Sequence, residues 1–240
     1  MSLALRQSSD KLPKHTDREE VPMLTVAEAV RQRRSIRSFK QTPIPDGMIL
    51  DMLEAARLAP SGSNSQPWRF VVVTDAQEKK DLRRLCFNQV FVEDAGVDFV
   101  ICTDLSAYSK EGYHKRRQES IDAGIVSASE IDDATYQRYI DSIASDPTSQ
   151  ITPATANTYI AAEHIVLMAT ALGLGSCWVG GISDHKAVRD MLGIPKGILV
   201  LGIIAVGYTD IEPKARPRLP LEEILLRPFP APVDVTCPTK

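Results

Sequence analysis

One segment of the chain, residues 155–172, is apolar on nearly every face that a helix would present. Its last fourteen residues include only three polar side chains, which are Glu163, His164 and Thr170. A helix without a polar face must be buried on nearly all sides. The segment therefore predicts either the central helix of a domain or a helix that packs against a second subunit, and Gly173 is expected to end it.

The rest of the chain predicts a sheet with helices around it. Short apolar runs predict strands at residues 69–74, 97–102, 176–179 and 198–206. The first helix is expected at residues 26–33, where Thr25 and Glu28 form a capping box. Further helices are expected to begin at three N-cap residues, Asp46, Asp75 and Asp184.

These elements predict one α+β domain with helices around a sheet of four or five strands. The chain has neither an internal repeat nor a convincing linker. Residues 1–22 are polar without periodicity and predict an N-terminal arm before a single domain at 23–240. Within that domain, the charged residues 106–150 predict a variable lid or surface insertion, either ordered or partly mobile. Residues 227–240 predict an extended C-terminal arm that lies on a partner subunit.

Composition argues against several classes of function. The net charge of −3 provides no general attraction to nucleic acid or to an anionic membrane. The longest apolar run has nine residues, which is too short to cross a bilayer. No secretory signal is visible, so the cytoplasm is the expected compartment. The four cysteines are far apart and the four histidines show no ligand spacing, so neither a disulfide framework nor a metal site is expected.

A basic cluster follows the first predicted helix, where Arg33, Arg34 and Arg37 stand close together. The planar guanidinium group matches phosphate oxygens two at a time. The cluster therefore predicts an anion site for a phosphorylated ligand, and the alternative is a solvated basic helix end. A second basic pair, Lys214 and Arg216, favours the anion site, although a solubilising tail would have the same composition.

A polar loop follows the second predicted helix and supplies short hydrogen-bonding side chains between two prolines. Its candidate binding residues are Pro60, Ser61, Gly62, Ser63, Asn64 and Gln66. On composition alone, a polar turn that only connects two elements fits equally well.

Together, these motifs resemble the nitroreductase family of FMN-dependent oxidoreductases. The resemblance covers about residues 24–226 and is poor in the middle. Its motifs are Arg-Arg-Ser-x-Arg-x-Phe from Arg33, Ala-Pro-Ser-x-x-Asn-x-Gln-Pro-Trp from Ala59, Gly-Gly at Gly180 and Lys-x-Arg at Lys214. The family implies a three-layer arrangement with a mostly antiparallel four- or five-stranded sheet. It also implies a homodimer with domain-swapped tails and with FMN at the subunit interface.

The resemblance also implies roles for the basic residues. The implied ligands of the FMN phosphate are Arg33, Ser35, Lys214 and Arg216. Arg37 would approach the N1/O2 edge of the ring, where a cation stabilises the negative charge that the ring gains on reduction. Arg34 would either do the same or only position the loop.

The remaining implied contacts are made to the flavin ring. The loop at residues 60–66 would cross the dimer interface and touch the FMN of the other subunit. Asn88 would bind the pyrimidine edge, although a helix C-cap explains this residue as well. A backbone N–H would reach flavin N5 from the segment of Trp178, Val179, Gly180 and Gly181, since glycine permits close approach. Some family members carry Glu at the position of Val179, so the substrate side stays open.

The resemblance implies an FMN-dependent NAD(P)H oxidoreductase. NAD(P)H would reduce the flavin, and a small acceptor such as a nitroaromatic or a quinone would then take the electrons in a ping-pong cycle. No side chain is expected to be catalytic, because the flavin carries the chemistry. Two alternatives stay open. One is a specialised enzyme of the same fold, either a reductive dehalogenase or an enzyme that consumes its own flavin; the other is a non-catalytic flavin-binding protein.

Overall fold

The computed structural model describes residues 23–127 and 133–227. The predicted arm at residues 1–22, and the C-terminal arm beyond Arg227, lie outside the described residues. The described helices are α1 Val26–Gln32, α2 Asp46–Arg57, α3 Ala76–Leu85, α4 Val90–Asp94, α5 Lys110–Asp122, α6 Asp133–Ala144, α7 Pro147–Ala171, α8 His185–Met191 and α9 Leu221–Ile224.

The strands form one antiparallel sheet of the predicted kind. They are β1 Trp68–Val73, β2 Val97–Asp104, β3 Gly175–Val179 and β4 Ile198–Gly207. Their order in the sheet is β1-β2-β4-β3, and every pair is antiparallel. The α+β architecture with a four-stranded sheet surrounded by helices is therefore confirmed, and the predicted strand ends are displaced by no more than two residues.

The sheet separates two apolar cores. One face carries Val100, Ile203 and Val179, which pack with side chains of α3, α4 and α8. The opposite face carries Phe99 and Ile204, which pack with side chains of α2 and α7. This alternation follows from the strand period of two, because successive side chains point to opposite faces.

Helix α7 is the central helix that its apolar sequence predicts. It is longer than expected, because it begins at Pro147 rather than near Thr155. Proline is favoured at the first position of a helix, where its missing N–H costs nothing. Tyr159 and Ile160 stay about 40% exposed, so one strip of the helix is not covered by the rest of the chain.

One further sequence expectation needs correction. Asp46 does not cap α2; it is the first residue of the helix, Pro45 occupies the N-cap, and no side chain caps it. The stretch expected as a lid or surface insertion contains a 3-10 turn, Leu105–Tyr108, and the helices α5 and α6. Tyr108 and Tyr113 give this stretch a small core of its own.

Three observations concern membrane-spanning helices, cysteines and possible metal ligands. No helix among the described residues has the length and apolar character needed to cross a membrane. Cys86, Cys102 and Cys177 are buried free thiols, as the sequence predicts. The described ranges contain no group of three or more His, Cys, Asp or Glu side chains that could hold a metal ion.

Candidate functional site

The basic cluster is held in place by helix α1, which precedes it, and by strand β3, which lies beside it. The predicted capping box is present at the start of α1, where Thr25 N donates to Glu28 Oε2 at 2.8 Å. After the helix ends, the chain runs beside β3, and Ile36 N donates to the Ser176 carbonyl at 2.9 Å. The close approach requires Gly175, because a Cβ there would lie 2.8 Å from the Ile36 side chain. The cluster is thereby fixed at the edge of the sheet.

Arg34 points back at the helix that precedes it. Its guanidinium donates to the carbonyl of Arg31 at 2.6 Å and to the carbonyl of Arg33 at 2.8 Å. Carbonyls at the end of a helix lack helical partners, and a cation there also suits the helix dipole. Of the two roles expected for Arg34, this geometry matches the positioning of the segment.

The two basic stretches meet at one cavity of about 430 Å³, which we call the basic pocket. Its basic lining residues are Arg31, Arg33, Arg34, Arg37, Lys214, Arg216 and Arg218. Ser35 also lines the pocket, and no acidic side chain of the described residues does. The sequence interpretation missed Arg31 and Arg218, although each stands two residues from a predicted phosphate ligand.

Four cations of the basic pocket form no ion pair with the described acidic side chains. Within the described ranges, Arg33, Arg37, Lys214 and Arg216 form no ion pair within 4.0 Å. Their field reaches a neighbouring thiol: burial raises the pKa of Cys177, while the guanidiniums of Arg37 and Arg33 oppose that rise. A pocket with several unpaired cations is suited to a ligand with more than one negative charge.

A second cavity of about 390 Å³ adjoins the basic pocket and shares Arg34 and Pro213 with it. Arg34 is the only cation among its described lining residues, and Glu212 brings an opposite charge. It is therefore less suited to a phosphate than the basic pocket.

The polar loop adopts an unusual backbone. Ser63, Asn64 and Gln66 have φ angles of 52°, 53° and 48°, in the left-handed region that residues with a Cβ seldom adopt. Ser61 stabilises the loop, because its Oγ accepts a hydrogen bond from Gln66 N at 3.0 Å. Such outliers persist only where surrounding contacts hold them, and they are concentrated at functional sites.

The structure does not bring the polar loop to the basic pocket within one chain. No residue from Pro60 to Gln66 lines that pocket. The loop precedes β1 at one edge of the sheet, while the basic cluster pairs with β3 at the other edge. With two strands between them, these edges lie roughly 14 Å apart. The predicted residues therefore form two separate groups in a single chain.

The segment at the end of β3 lies next to α7. Trp178 Nε1 donates to Glu163 Oε2 at 3.1 Å, and the Trp178 ring stands edge-on to Tyr159. Val179 is buried in the core. Gly180 has no atom within 4 Å of the position that a Cβ would occupy, so its backbone is open to a ligand.

Asn88 belongs to the turn that ends α3. Its N–H donates to the Arg83 carbonyl at 3.0 Å, and its φ of 55° is left-handed. This geometry matches the helix-end interpretation. The turn also brings Phe87 close to Gly181, where its ring lies 3.5 Å from the position of a Cβ. Phe87 is 67% exposed and was not singled out from the sequence, because a lone aromatic residue after a helix has no signature.

Comparison with protein families finds one match that spans most of the chain. The family model described as "Nitroreductase family" matches residues 30–208. The match includes the basic cluster, the polar loop and Gly180, and it ends before Lys214. The family match therefore does not include Lys214 and Arg216, and it is the structure that brings them to the same cavity as Arg33.

Individual relatives agree with the family match. The chain is 35% identical over 207 residues to an "NADH dehydrogenase" of Thermus thermophilus, which covers 86% of this chain and 97% of the relative. It is similar to the crystal structure of a nitroreductase-like protein from Streptococcus mutans, with a TM-score of 0.75 and 25% identity over 85% of this chain and 98% of the other. It also resembles an NADPH:FMN oxidoreductase from Vibrio harveyi complexed with NAD+, with a TM-score of 0.64 and 25% identity over 87% and 79% of the two chains.

Proposed function

The chain belongs to the nitroreductase family, and we infer from this membership and from the basic pocket that it is an FMN-dependent NAD(P)H oxidoreductase. The acceptor is proposed to be a small molecule, such as a nitroaromatic or a quinone. The observation that carries the proposal is the meeting of unpaired cations from both ends of the chain at one cavity.

The basic pocket fits the phosphate of FMN. A phosphate monoester carries nearly two negative charges at neutral pH and three strong acceptor oxygens. Arg33 and Arg216 can each present a planar fork to these oxygens, while Lys214 acts as a compact point charge. Ser35 adds a hydroxyl donor at the rim. We propose these four residues as the phosphate ligands.

The flavin ring is proposed to extend from the pocket along the end of β3. When bound, FMN supplies the hydride chemistry, so the chain has to bind and orient it and to exclude competing reactions. Arg37 lines the same cavity as Arg33 and is proposed to stabilise negative charge at the N1/O2 edge. The open backbone at Gly180, together with the neighbouring Gly181, is proposed to face N5. Asn88, Trp178 and Val179 are proposed to border the ring.

The second group of predicted residues is proposed to act in a homodimer. The loop residues Pro60, Ser61, Gly62, Ser63, Asn64 and Gln66 would contact the FMN of the partner subunit at the interface. Exposed apolar side chains support this proposal: Val26 and Val30 on α1, and Tyr159 and Ile160 on α7, which contacts α1. Exposed apolar side chains on neighbouring helices are typical of a protein interface.

We propose one FMN-binding domain at residues 23–240, with 106–150 as a variable lid and 227–240 as an arm on the partner subunit. A cytoplasmic location is proposed because Cys86, Cys102 and Cys177 are buried as free thiols.

An absorbance spectrum tests the proposed function. The purified protein, incubated with FMN and desalted, is expected to show a bound flavin spectrum, and anaerobic NADH or NADPH is expected to bleach it. Protein that stays colourless would contradict the cofactor assignment. Bound flavin that neither nicotinamide bleaches would indicate the non-catalytic alternative.

Turnover separates the remaining alternatives. Steady-state oxidation of NAD(P)H with a nitroaromatic or a quinone is expected to be fast, with parallel double-reciprocal plots, as a ping-pong cycle requires. Reducible flavin with almost no turnover on either acceptor would indicate a specialised enzyme, such as a reductive dehalogenase or a flavin-consuming type.

A further inference from the structure

The polar loop has an unfavourable backbone conformation, which contacts inside and outside the loop have to hold. Three of its residues, Ser63, Asn64 and Gln66, have left-handed φ angles and a Cβ. This conformation is unfavourable for each of them, so the free loop would relax toward other states. The contacts that hold it therefore decide whether the loop is ready to bind a ligand.

Asn157, which lies outside the loop, makes such a contact, and the Tyr108 hydroxyl makes another with Ser65. Gly62 N donates to Asn157 Oδ1 at 3.2 Å, which joins the loop to helix α7. The other end of the same amide donates to the Tyr108 hydroxyl and to the Pro153 carbonyl, each at 2.7 Å. Asn157 thereby connects three elements with both of its polar atoms.

Helix α7 provides a fixed support for Asn157. The next residue, Thr158, is fully buried, and its hydroxyl donates to the Thr103 hydroxyl on β2 at 2.9 Å. The side chain of Asn157 therefore starts from a rigid part of the molecule, and its amide cannot follow the loop if the loop moves.

Tyr108 connects the same amide to the lid, which is the turn Leu105–Tyr108 with α5 and α6. Its ring is 1% exposed and packs edge-on against Tyr113, with centroids 5.7 Å apart. Tyr136 of α6 reaches the same cluster, because its hydroxyl donates to the Tyr113 carbonyl at 3.0 Å. A rearrangement of α5 or α6 would therefore displace the partner of Asn157.

We propose that Asn157 is a positioning residue that holds the polar loop in its left-handed conformation and makes that conformation depend on the lid through Tyr108. The proposal rests on the proposed function in one respect, which is that the loop binds flavin. Its consequence is specific: a substrate or a substitution that shifts the lid changes the affinity for FMN without touching the basic pocket.

Amide hydrogen exchange of the protein without added FMN tests the contact directly. In Asn157→Leu, Gly62 N–H loses its acceptor, and the amides of residues 62–66 are expected to exchange at least tenfold faster than in the wild type. The amides of β1, which follows the loop, are expected to be unchanged. Equal exchange of the loop amides in both proteins would overturn the proposal, whatever the protein binds.

FMN titration by fluorescence quenching tests the consequence. Asn157→Leu is expected to weaken FMN binding about tenfold. Asn157→Asp keeps an acceptor for Gly62 N–H and for the Tyr108 hydroxyl but places an oxygen against the Pro153 carbonyl, so it is expected to restore part of the affinity. Gln77→Leu is the matched control, since it removes a side-chain amide of α3, outside the lid, that bonds only to Asp81 among the described contacts.

Tyr108→Phe tests the connection to the lid. It also replaces Asn157→Leu as the test variant if Asn157→Leu does not fold. It removes one hydroxyl, and faster exchange at residues 62–66 with weaker FMN binding is expected. Unchanged loop exchange in this variant would overturn the part of the proposal that concerns the lid. A wild type that binds no FMN would contradict the proposed function, while the exchange data would still decide the role of Asn157.

Discussion

Two regions of the described chain contain ionisable side chains that form no ion pair. The surroundings keep these side chains charged in one region and favour the neutral form in the other. In the basic pocket, Lys214 and Arg216 are exposed and unpaired. At Asp98 a carboxyl group is completely buried, and neither of its oxygens has a hydrogen-bond partner among the described residues. The cations of the basic pocket are in contact with water, whereas the carboxyl group of Asp98 lies in the apolar core.

The surroundings of Asp98 explain why its charge is lost. The residue lies in β2 between Val73 of β1 and Ala205 of β4. The nearby cation, Lys79, donates to the Ala95 carbonyl at 2.6 Å instead. Burial raises the pKa of Asp98 well above its usual value, and the charge of Lys79 only partly opposes that rise. The carboxyl group is therefore neutral over a range of pH in which an exposed aspartate is ionised.

The difference shows which unpaired charge is available for binding. Water screens the exposed cations, so they stay charged and repel one another until an anion arrives. A buried carboxylate has no such screening and binds a proton instead. Unpaired charge at the surface of a cavity therefore indicates a ligand, while unpaired charge in a core indicates a shifted pKa. Each expectation below tests one side of this contrast.

Charge reversal in the basic pocket is expected to have the largest effect. Arg33→Glu places a carboxylate beside the proposed phosphate position and is expected to weaken FMN binding at least 100-fold, about 2.7 kcal/mol. Arg216→Glu is expected to have a comparable effect, because both guanidiniums line the same cavity. Titration of each desalted variant with FMN measures the loss.

The matched control is Lys80→Glu, which changes the net charge by the same amount. Lys80 is exposed on α3 and does not line the basic pocket. Its variant is expected to bind FMN like the wild type. Equal losses in Lys80→Glu and Arg33→Glu would mean that overall charge, rather than the pocket, governs binding.

Much of the fold was predictable, because its signals are local. The capping box at Thr25, the apolar character of α7 and the strand runs each follow from residue type and spacing. The start of α7 at Pro147 was missed, since a proline indicates a helix boundary without saying on which side the helix lies. The left-handed residues of the polar loop were also missed, because the contacts of this loop include one with Asn157, which is far away in sequence.

The meeting of the two basic stretches was predictable from the sequence, whereas the state of Asp98 was not. The motif around Arg33 and the pair at Lys214 pointed to one phosphate, and the structure brings them to one cavity. The state of Asp98 has no sequence signal. A single acidic residue in an apolar strand reads as a solvent-facing position, and only the strand register places it beneath α3. Pairing across the sheet is set by the whole fold, which a local pattern does not contain.

A neutral substitution at Asp98 is expected to change how stability depends on pH. The pKa of Asp98 is raised in the folded state, so the native protein binds a proton that the unfolded chain has released above about pH 4. The free energy of unfolding therefore falls as pH rises from there toward the folded pKa, by at most about 1.4 kcal/mol per pH unit for one proton. In Asp98→Asn this part of the slope is expected to disappear. Urea unfolding between pH 5 and 8 measures it.

The control for this expectation is Asp141→Asn. Hydrogen bonds from Lys110 and Gln137 lower the pKa of Asp141, so its contribution is present above the unfolded pKa and is lost only as pH falls. Between pH 5 and 8 this variant is expected to keep the slope of the wild type. A wild type and an Asp98→Asn variant with parallel profiles would show that Asp98 is ionised in the core.

The smallest expected effect is a difference in reactivity between two thiols. Cys86 lies near Asp98, and Cys177 lies near Arg37 and Arg33. Burial and the proximity of Asp98 raise the pKa of Cys86 to about 12, whereas Arg37 and Arg33 oppose the rise at Cys177. Because the thiolate is the reactive form, iodoacetamide at pH 8.5 is expected to modify Cys177 severalfold faster than Cys86, as measured by peptide mass spectrometry. Arg33→Glu removes a neighbouring cation and is expected to slow Cys177 while leaving Cys86 unchanged. If Arg33→Glu changes the modification rates of both thiols equally, the field of the basic pocket does not reach Cys177. The two regions would then differ in burial alone.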